Sequence, residues 1–114
     1  MANFSYTEYK ENSITVIELP ENVLGGEETI EFTSLLNKLS ENGSKVFVLD
    51  LSNTNLMNSS GLGLLASGLA TSKKYNIELV LMSVNSKIEK LLNMTGLNKV
   101  FKFYNNIEEV KSLI

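Results

Sequence analysis

The chain has 114 residues, 43% hydrophobic and 20% charged, the proportions of one globular domain with a modest core. Thirteen Asp and Glu against ten Lys and Arg give a net charge of −3, and the cations are scattered apart from the pair Lys73 and Lys74. Nucleic acid, which needs a concentrated positive surface, is therefore excluded as a partner.

The sequence contains neither cysteine nor histidine. Disulfides, thiolate nucleophiles, Ser-His-Asp catalysis and the common zinc sites fall away with them. An enzyme would have to work with carboxylates, lysine or tyrosine alone. The expectation is a protein that is not an enzyme and uses no cofactor or metal. Residues 1–5 lack the basic start and apolar run of a signal peptide. No apolar stretch approaches the roughly 20 residues of a membrane helix. A cytoplasmic location without membrane insertion is expected.

In chain order, residues 4–10 form a weakly patterned edge strand, with Phe4 and Tyr6 on one side and Thr7 and Tyr9 on the other. Residues 14–19, rich in β-branched side chains, form a better strand that Pro20 ends, and Asn12 and Ser13 suit a hairpin turn. Residues 27–42 read as a helix. Phe32, Leu35, Leu36 and Leu39 fall on one face, and Gly43 stops it. Glu27, Glu28 and Glu31 near its start are ordinary helix-end charge rather than a catalytic carboxylate cluster.

Residues 46–51, Val-Phe-Val-Leu-Asp-Leu, are the most continuously apolar strand, as expected for one buried on both faces of a sheet. A polar loop follows, then Asn58, Ser59, Ser60, Gly61, Leu62 and Gly63, opening a helix that runs to about Tyr75 before Asn76 breaks it. A serine at a helix start both caps it and is a natural place to receive a phosphate. Residues 77–82 form another strand, and Asn85 and Ser86 cap a helix that buries Ile88, Leu91 and Leu92. Residues 100–103 are a last short strand, and Asn105 and Asn106 cap a final helix burying Ile107, Val110 and Leu113 or Ile114. The order ββαβαβαβα defines an α/β fold with a mixed, mostly parallel sheet and helices packed against it. No linker or repeat divides the chain, so residues 1–114 are expected to form a single domain.

The helix after Asn58 has two stripes. Leu62, Leu65, Ala66 and Leu69 are assigned to the core; Leu64, Gly68, Thr71 and Tyr75 form a second face that is small or apolar where charge would be expected. Each interior glycine costs about 1 kcal/mol relative to alanine. Close packing on the sheet or close approach by a partner accounts for Gly61, Gly63 and Gly68, and spacing does not separate the two. The stretch from Gly61 to Ala66 also fits the dinucleotide pattern GxGxxA. The nine residues between Leu51 and Gly61 and the absence of an acid at the end of the next strand argue against that use.

At these residues the chain resembles the STAS domains, typified by bacterial anti-sigma factor antagonists. The family signature is an apolar strand ending in D-L or N-L, a loop, then D-S-S-G-L-G and an apolar helix. Here it stands as Val48-Leu49-Asp50-Leu51 and Asn58-Ser59-Ser60-Gly61-Leu62-Gly63. Farther on, Met94-Thr95-Gly96-Leu97 closes a run like the family's S-G-L.

The resemblance implies an anti-sigma factor antagonist, a binding module switched by phosphorylation. Unmodified, it would capture an anti-sigma factor that is also a serine kinase of the ATPase fold. Phosphorylation at Ser59 would release it, and a PP2C-type phosphatase would reset it. Asn58, Ser60, Gly61, Leu64 and Gly68 are the expected partner-binding residues. Two positions depart from the family pattern. Asn58 replaces an acid, keeping cap geometry but removing a charge, and residues 19–26 lack the aspartate of a G-x-L-D-like turn. The alternative is a STAS subunit held constitutively in a lipid-transporter ATPase complex or a stress-signalling scaffold, in which Ser59 serves only as a cap. Asp50 either has a role beside the site or bonds local backbone.

Overall fold

A computed structural model describes residues 4–112. Strand β1 (Ser5–Tyr9) turns through a short 3-10 segment and Ser13, in the left-handed conformation at φ 57°, into β2 (Ile14–Glu18). The two pair antiparallel from Ser5 opposite Glu18 to Tyr9 opposite Ile14. There follow β3 (Asn22–Val23), α1 (Glu27–Leu39), β4 (Val46–Asp50), β5 (Leu56–Met57), α2 (Ser59–Lys74), β6 (Glu78–Met82), α3 (Ser86–Thr95), β7 (Lys102–Tyr104) and α4 (Ile107–Lys111). The main sheet has the order β1-β2-β4-β6-β7, and every pairing after the first is parallel. The α/β fold and the order of the main-sheet strands and the α-helices match the sequence expectation.

Strand alternation divides the interior. Ile17, Phe47, Leu49, Leu79 and Leu81 point to one side, where they meet Phe32, Leu36 and Leu39 of α1, Leu62, Leu64 and Leu65 of α2, and Ile88 and Leu92 of α3. Ile14, Val16, Val46, Val48, Val80 and Met82 point to the other, where Val110 and Ile107 of α4 pack on them. Burial on both faces explains the unbroken apolar run of β4, and each such side chain contributes about 1.5–3 kcal/mol relative to exposure.

The differences from expectation are local. Helix α1 ends at Leu39, and a 3-10 turn at Ser40–Asn42 carries the chain to Gly43 at φ 87°. Gly96, at φ 79°, caps α3 and leads into a 3-10 turn at Leu97–Lys99, which delays β7 to Lys102. Leu113 and Ile114, expected in the core, lie outside the described residues. The parallel pair β3 and β5 forms a second small sheet that the sequence reading placed in loops.

Candidate functional site

The loop between β4 and α2 is tied down before it reaches the serines. Asp50 Oδ1 accepts from the Ser52 amide at 2.9 Å, the local backbone bond expected of a polar strand-end residue. Thr54, 2% exposed, donates its hydroxyl to the Pro20 carbonyl at 2.9 Å, while Asn85 Nδ2 donates to the Thr54 carbonyl at 3.0 Å. The amides of Asn55 and Leu56 both reach the Glu21 carbonyl, at 2.8 and 3.1 Å. Val23 and Met57 then pair across β3 and β5 with both side chains buried, leaving Asn22 and Leu56 facing out. Three segments distant in sequence thus fix where α2 begins.

Asn58 is the cap. Its backbone is extended, at φ −110° and ψ −174°, and its Oδ1 accepts from the Gly61 amide at 2.8 Å. Its carbonyl receives the first intrahelical bond, from Leu62 at 3.0 Å. Capping therefore falls to Asn58, and the hydroxyl of Ser59 is not needed for it. Ser59 and Ser60 are exposed. The first turn of α2 carries no acid and its last turn carries Lys73 and Lys74, so the charges complement the helix dipole only at the C-terminal end.

The expected partner-binding residues separate into two groups. Asn58 and Ser60 are exposed beside Ser59. Leu64 is fully buried in the main core, so assigning it to a partner face is corrected. Gly68 is buried against α1, where a β-carbon would come 2.6 Å from Cε2 of Phe32. It too belongs to the fold. Gly61 is buried against the Val23 carbonyl, and a β-carbon there would also lie 2.8 Å from Cγ of Met57. Its missing side chain makes room for β3 rather than for a partner. Ala66, assigned to the core, is exposed.

Gly63 is different: a β-carbon on it would meet nothing within 4 Å. Ser59, Gly63, Ala66 and Ala70 follow one another at helical spacing, and all are exposed. The outward face of α2 is thus a strip of small side chains starting at Ser59. Gly25, at φ 77°, packs against the backbone and Cβ of Ser60, which brings the β3 loop to the edge of this face. Leu24 and Leu56 flank the helix start, 45% and 47% exposed. Sequence reasoning missed both. The signals were the Gly25-Gly26 pair, marking a loop with special backbone, and an isolated leucine in a polar loop.

Chemically, the site offers an accessible hydroxyl at the positive end of a 16-residue helix. With the Gly61 amide held by Asn58, the amides of Ser59 and Ser60 are the first-turn donors without an intrahelical acceptor, and a phosphate on Ser59 would meet them and a favourable dipole. Among the described residues there is no group of three or more carboxylates placed to hold a metal ion, and no helix is long and apolar enough to cross a membrane.

The fold and the site define a small α/β domain that exposes a capped helix start and a smooth helix face. Residues 7–110 match the family model described as STAS domain, and the chain belongs to that family. It is 36% identical over 66 residues to an anti-sigma F factor antagonist of Paenibacillus polymyxa; the match takes in 58% of this chain and only 55% of that protein. The crystal structure of a putative anti-sigma factor antagonist from Thermotoga maritima superposes with a TM-score of 0.80 at 23% identity, covering 97% of this chain and 93% of that one. The Bacillus cell fate determinant SpoIIAA, in its phosphorylated form, superposes with a TM-score of 0.71 at 13% identity over 97% of this chain and 99% of that one.

Proposed function

We propose that the protein is an anti-sigma factor antagonist of the cytoplasm, a non-catalytic module that binds an anti-sigma factor serine kinase of the ATPase fold while Ser59 is unmodified. The observation that carries this reading is the exposed Ser59 at the head of an exposed small-residue strip on α2, within the motif Asn58-Ser59-Ser60-Gly61-Leu62-Gly63. The Paenibacillus relative, by its name, supports an anti-sigma factor as the partner.

In this mechanism the kinase docks across Ser59, Gly63 and Ala66, where the lack of side-chain bulk lets its backbone come close. Phosphorylation of Ser59 adds about −1.5 to −2 charges at the docking surface. The helix start tolerates that charge, so the domain stays folded; the complex bears the cost, because a bulky dianion must be desolvated where a neutral hydroxyl was accepted. A PP2C-type phosphatase restores the hydroxyl. With Asn58 in place of the family acid, the unmodified helix start carries no acidic side chain, and the phosphate would be the first negative charge placed there.

The test is affinity capture from extract of the source organism with Ser59→Ala and Ser59→Asp forms side by side. Retention of an ATPase-fold kinase by Ser59→Ala and its loss by Ser59→Asp is the expected result. Equal retention of transporter or scaffold proteins by both forms would replace the switch with constitutive assembly.

A further inference from the structure

Beside the helix start, β5 and α3 enclose an open groove of about 250 Å³. Its floor is Met57 and Ile88, both buried. Its rim is Leu56, Leu91 and Met94 together with Lys87 and Lys90. Met94 is 75% exposed and Leu56 47%, large apolar surfaces left to water. Lys87, Lys90, Leu91 and Met94 stand at i, i+3, i+4 and i+7, so one face of α3 carries both the cations and the apolar rim. Glu89 falls on the other side of the helix.

The charge of this groove runs against that of the chain. Acids outnumber bases thirteen to ten in the sequence, yet no carboxylate lines the groove. Neither lysine has an ion-pair partner among the described residues, unlike Lys102, which pairs with Glu78, and Lys111, which pairs with Glu108. The two lysines offer flexible, solvated positive charge on one side of an apolar trough rimmed by leucine and methionine, side chains that adapt to what lies between them.

We infer that the groove between β5 and α3 is a docking site for an acidic amphipathic helix of a protein partner, with its apolar ridge against Leu56, Leu91 and Met94 and its carboxylates on Lys87 and Lys90. A helix laid into a groove is held by its own apolar anchors at one-turn spacing, and Leu56, Leu91 and Met94 are the apolar surface they would meet. Leu56 lies three residues before Ser59 in the chain. The groove therefore extends the surface described above, and the inference rests on that reading for the identity of the natural partner. The lysines set orientation and association rate, and the apolar rim supplies the area removed from water.

The probe is a fluorescein-labelled peptide of about five helical turns, with leucines on one stripe, glutamates flanking it and alanine elsewhere. Its binding to the whole protein is followed by anisotropy. The wild type is expected to bind it, more weakly as salt rises, and to bind a scrambled peptide of equal composition, or one with lysine for glutamate, at least about tenfold more weakly. The double variant Lys87→Glu with Lys90→Glu should lose about tenfold or more in affinity, and Met94→Glu should lose a similar amount; all three positions are exposed, so the fold is kept. No binding by the wild type, equal binding of the scrambled peptide, or unchanged affinity in the double variant would overturn the assignment. So would a dimer in sedimentation that the double variant abolishes, since a second copy would then fill the groove. The assay contains neither kinase nor phosphate, so its failure leaves the Ser59 capture result standing, and the reverse also holds.

Discussion

Gly68 of α2 lies beneath the ring of Phe32 of α1, so close that a β-carbon on residue 68 would stand 2.6 Å from Cε2 and 3.2 Å from Cζ. Phe32 cannot yield: it is fully buried, and Phe4 packs on its ring with centroids 5.3 Å apart. This glycine sets the distance between α1 and α2. Gly68→Ala should gain about 1 kcal/mol of helix propensity and lose about 1–3 to overpacking, for a net loss of stability. A lower urea midpoint with an unchanged slope is the expected result; a higher midpoint would mean that the two helices separate freely.

Gly63 gives the opposite expectation within the same helix. Its β-carbon would enter open space, and its backbone is helical, so Gly63→Ala should raise stability by about 0.5–1 kcal/mol. A stabilising change that also weakens capture of the kinase would show that the glycine is kept for close approach by the partner. Full capture by a stabilised Gly63→Ala variant would remove Gly63 from the proposed docking face.

Asn58 tests the cap separately from the switch. Its Oδ1 holds the Gly61 amide, so Asn58→Ala should cost about 1 kcal/mol. Asn58→Asp keeps the acceptor, restores the acid of the family motif and places a negative charge at the start of α2, where it should add about 0.3–1 kcal/mol at low salt. Thermal unfolding at two salt concentrations separates the parts: the Asp gain fades with salt, whereas the Ala loss does not.

The fold was legible because its signals are local. Alternation and β-branching marked the strands, and the apolar run from Val46 to Leu51 marked the strand covered on both faces. Asn85, Asn106 and Gly96 marked helix ends that the structure bears out through side-chain caps and a left-handed residue. The motif from Asn58 to Gly63 located the helix start. What periodicity did not yield was which of two helix faces is buried. With α1 on one side and the sheet on another, α2 buries Leu62, Leu64 and Leu65 together, a wider arc than a single stripe. Leu64 and Gly68 therefore looked available to a partner when they belong to the core. The β3 and β5 pair escaped for a different reason: two-residue strands have no period to read, and their pairing joins segments more than thirty residues apart.

Thr54 joins those segments. It is 2% exposed, its hydroxyl satisfies the Pro20 carbonyl, and its own carbonyl accepts from Asn85 at the start of α3. Thr54→Val keeps the branched shape but puts a methyl group where the hydroxyl was, leaving the Pro20 carbonyl without that partner and facing a buried apolar group. The expected loss is about 1–3 kcal/mol. Because the hydroxyl holds residues 20–21 against the loop that presents Ser59, the loss should appear locally as well as globally. Amide hydrogen exchange at Asn55 and Leu56, whose donors end on the Glu21 carbonyl, should accelerate more than exchange in β4. Uniform acceleration across the domain would show that the loop is fixed by the β3 and β5 pairing without help from Thr54, and would locate the rigidity of the Ser59 site in that small sheet instead.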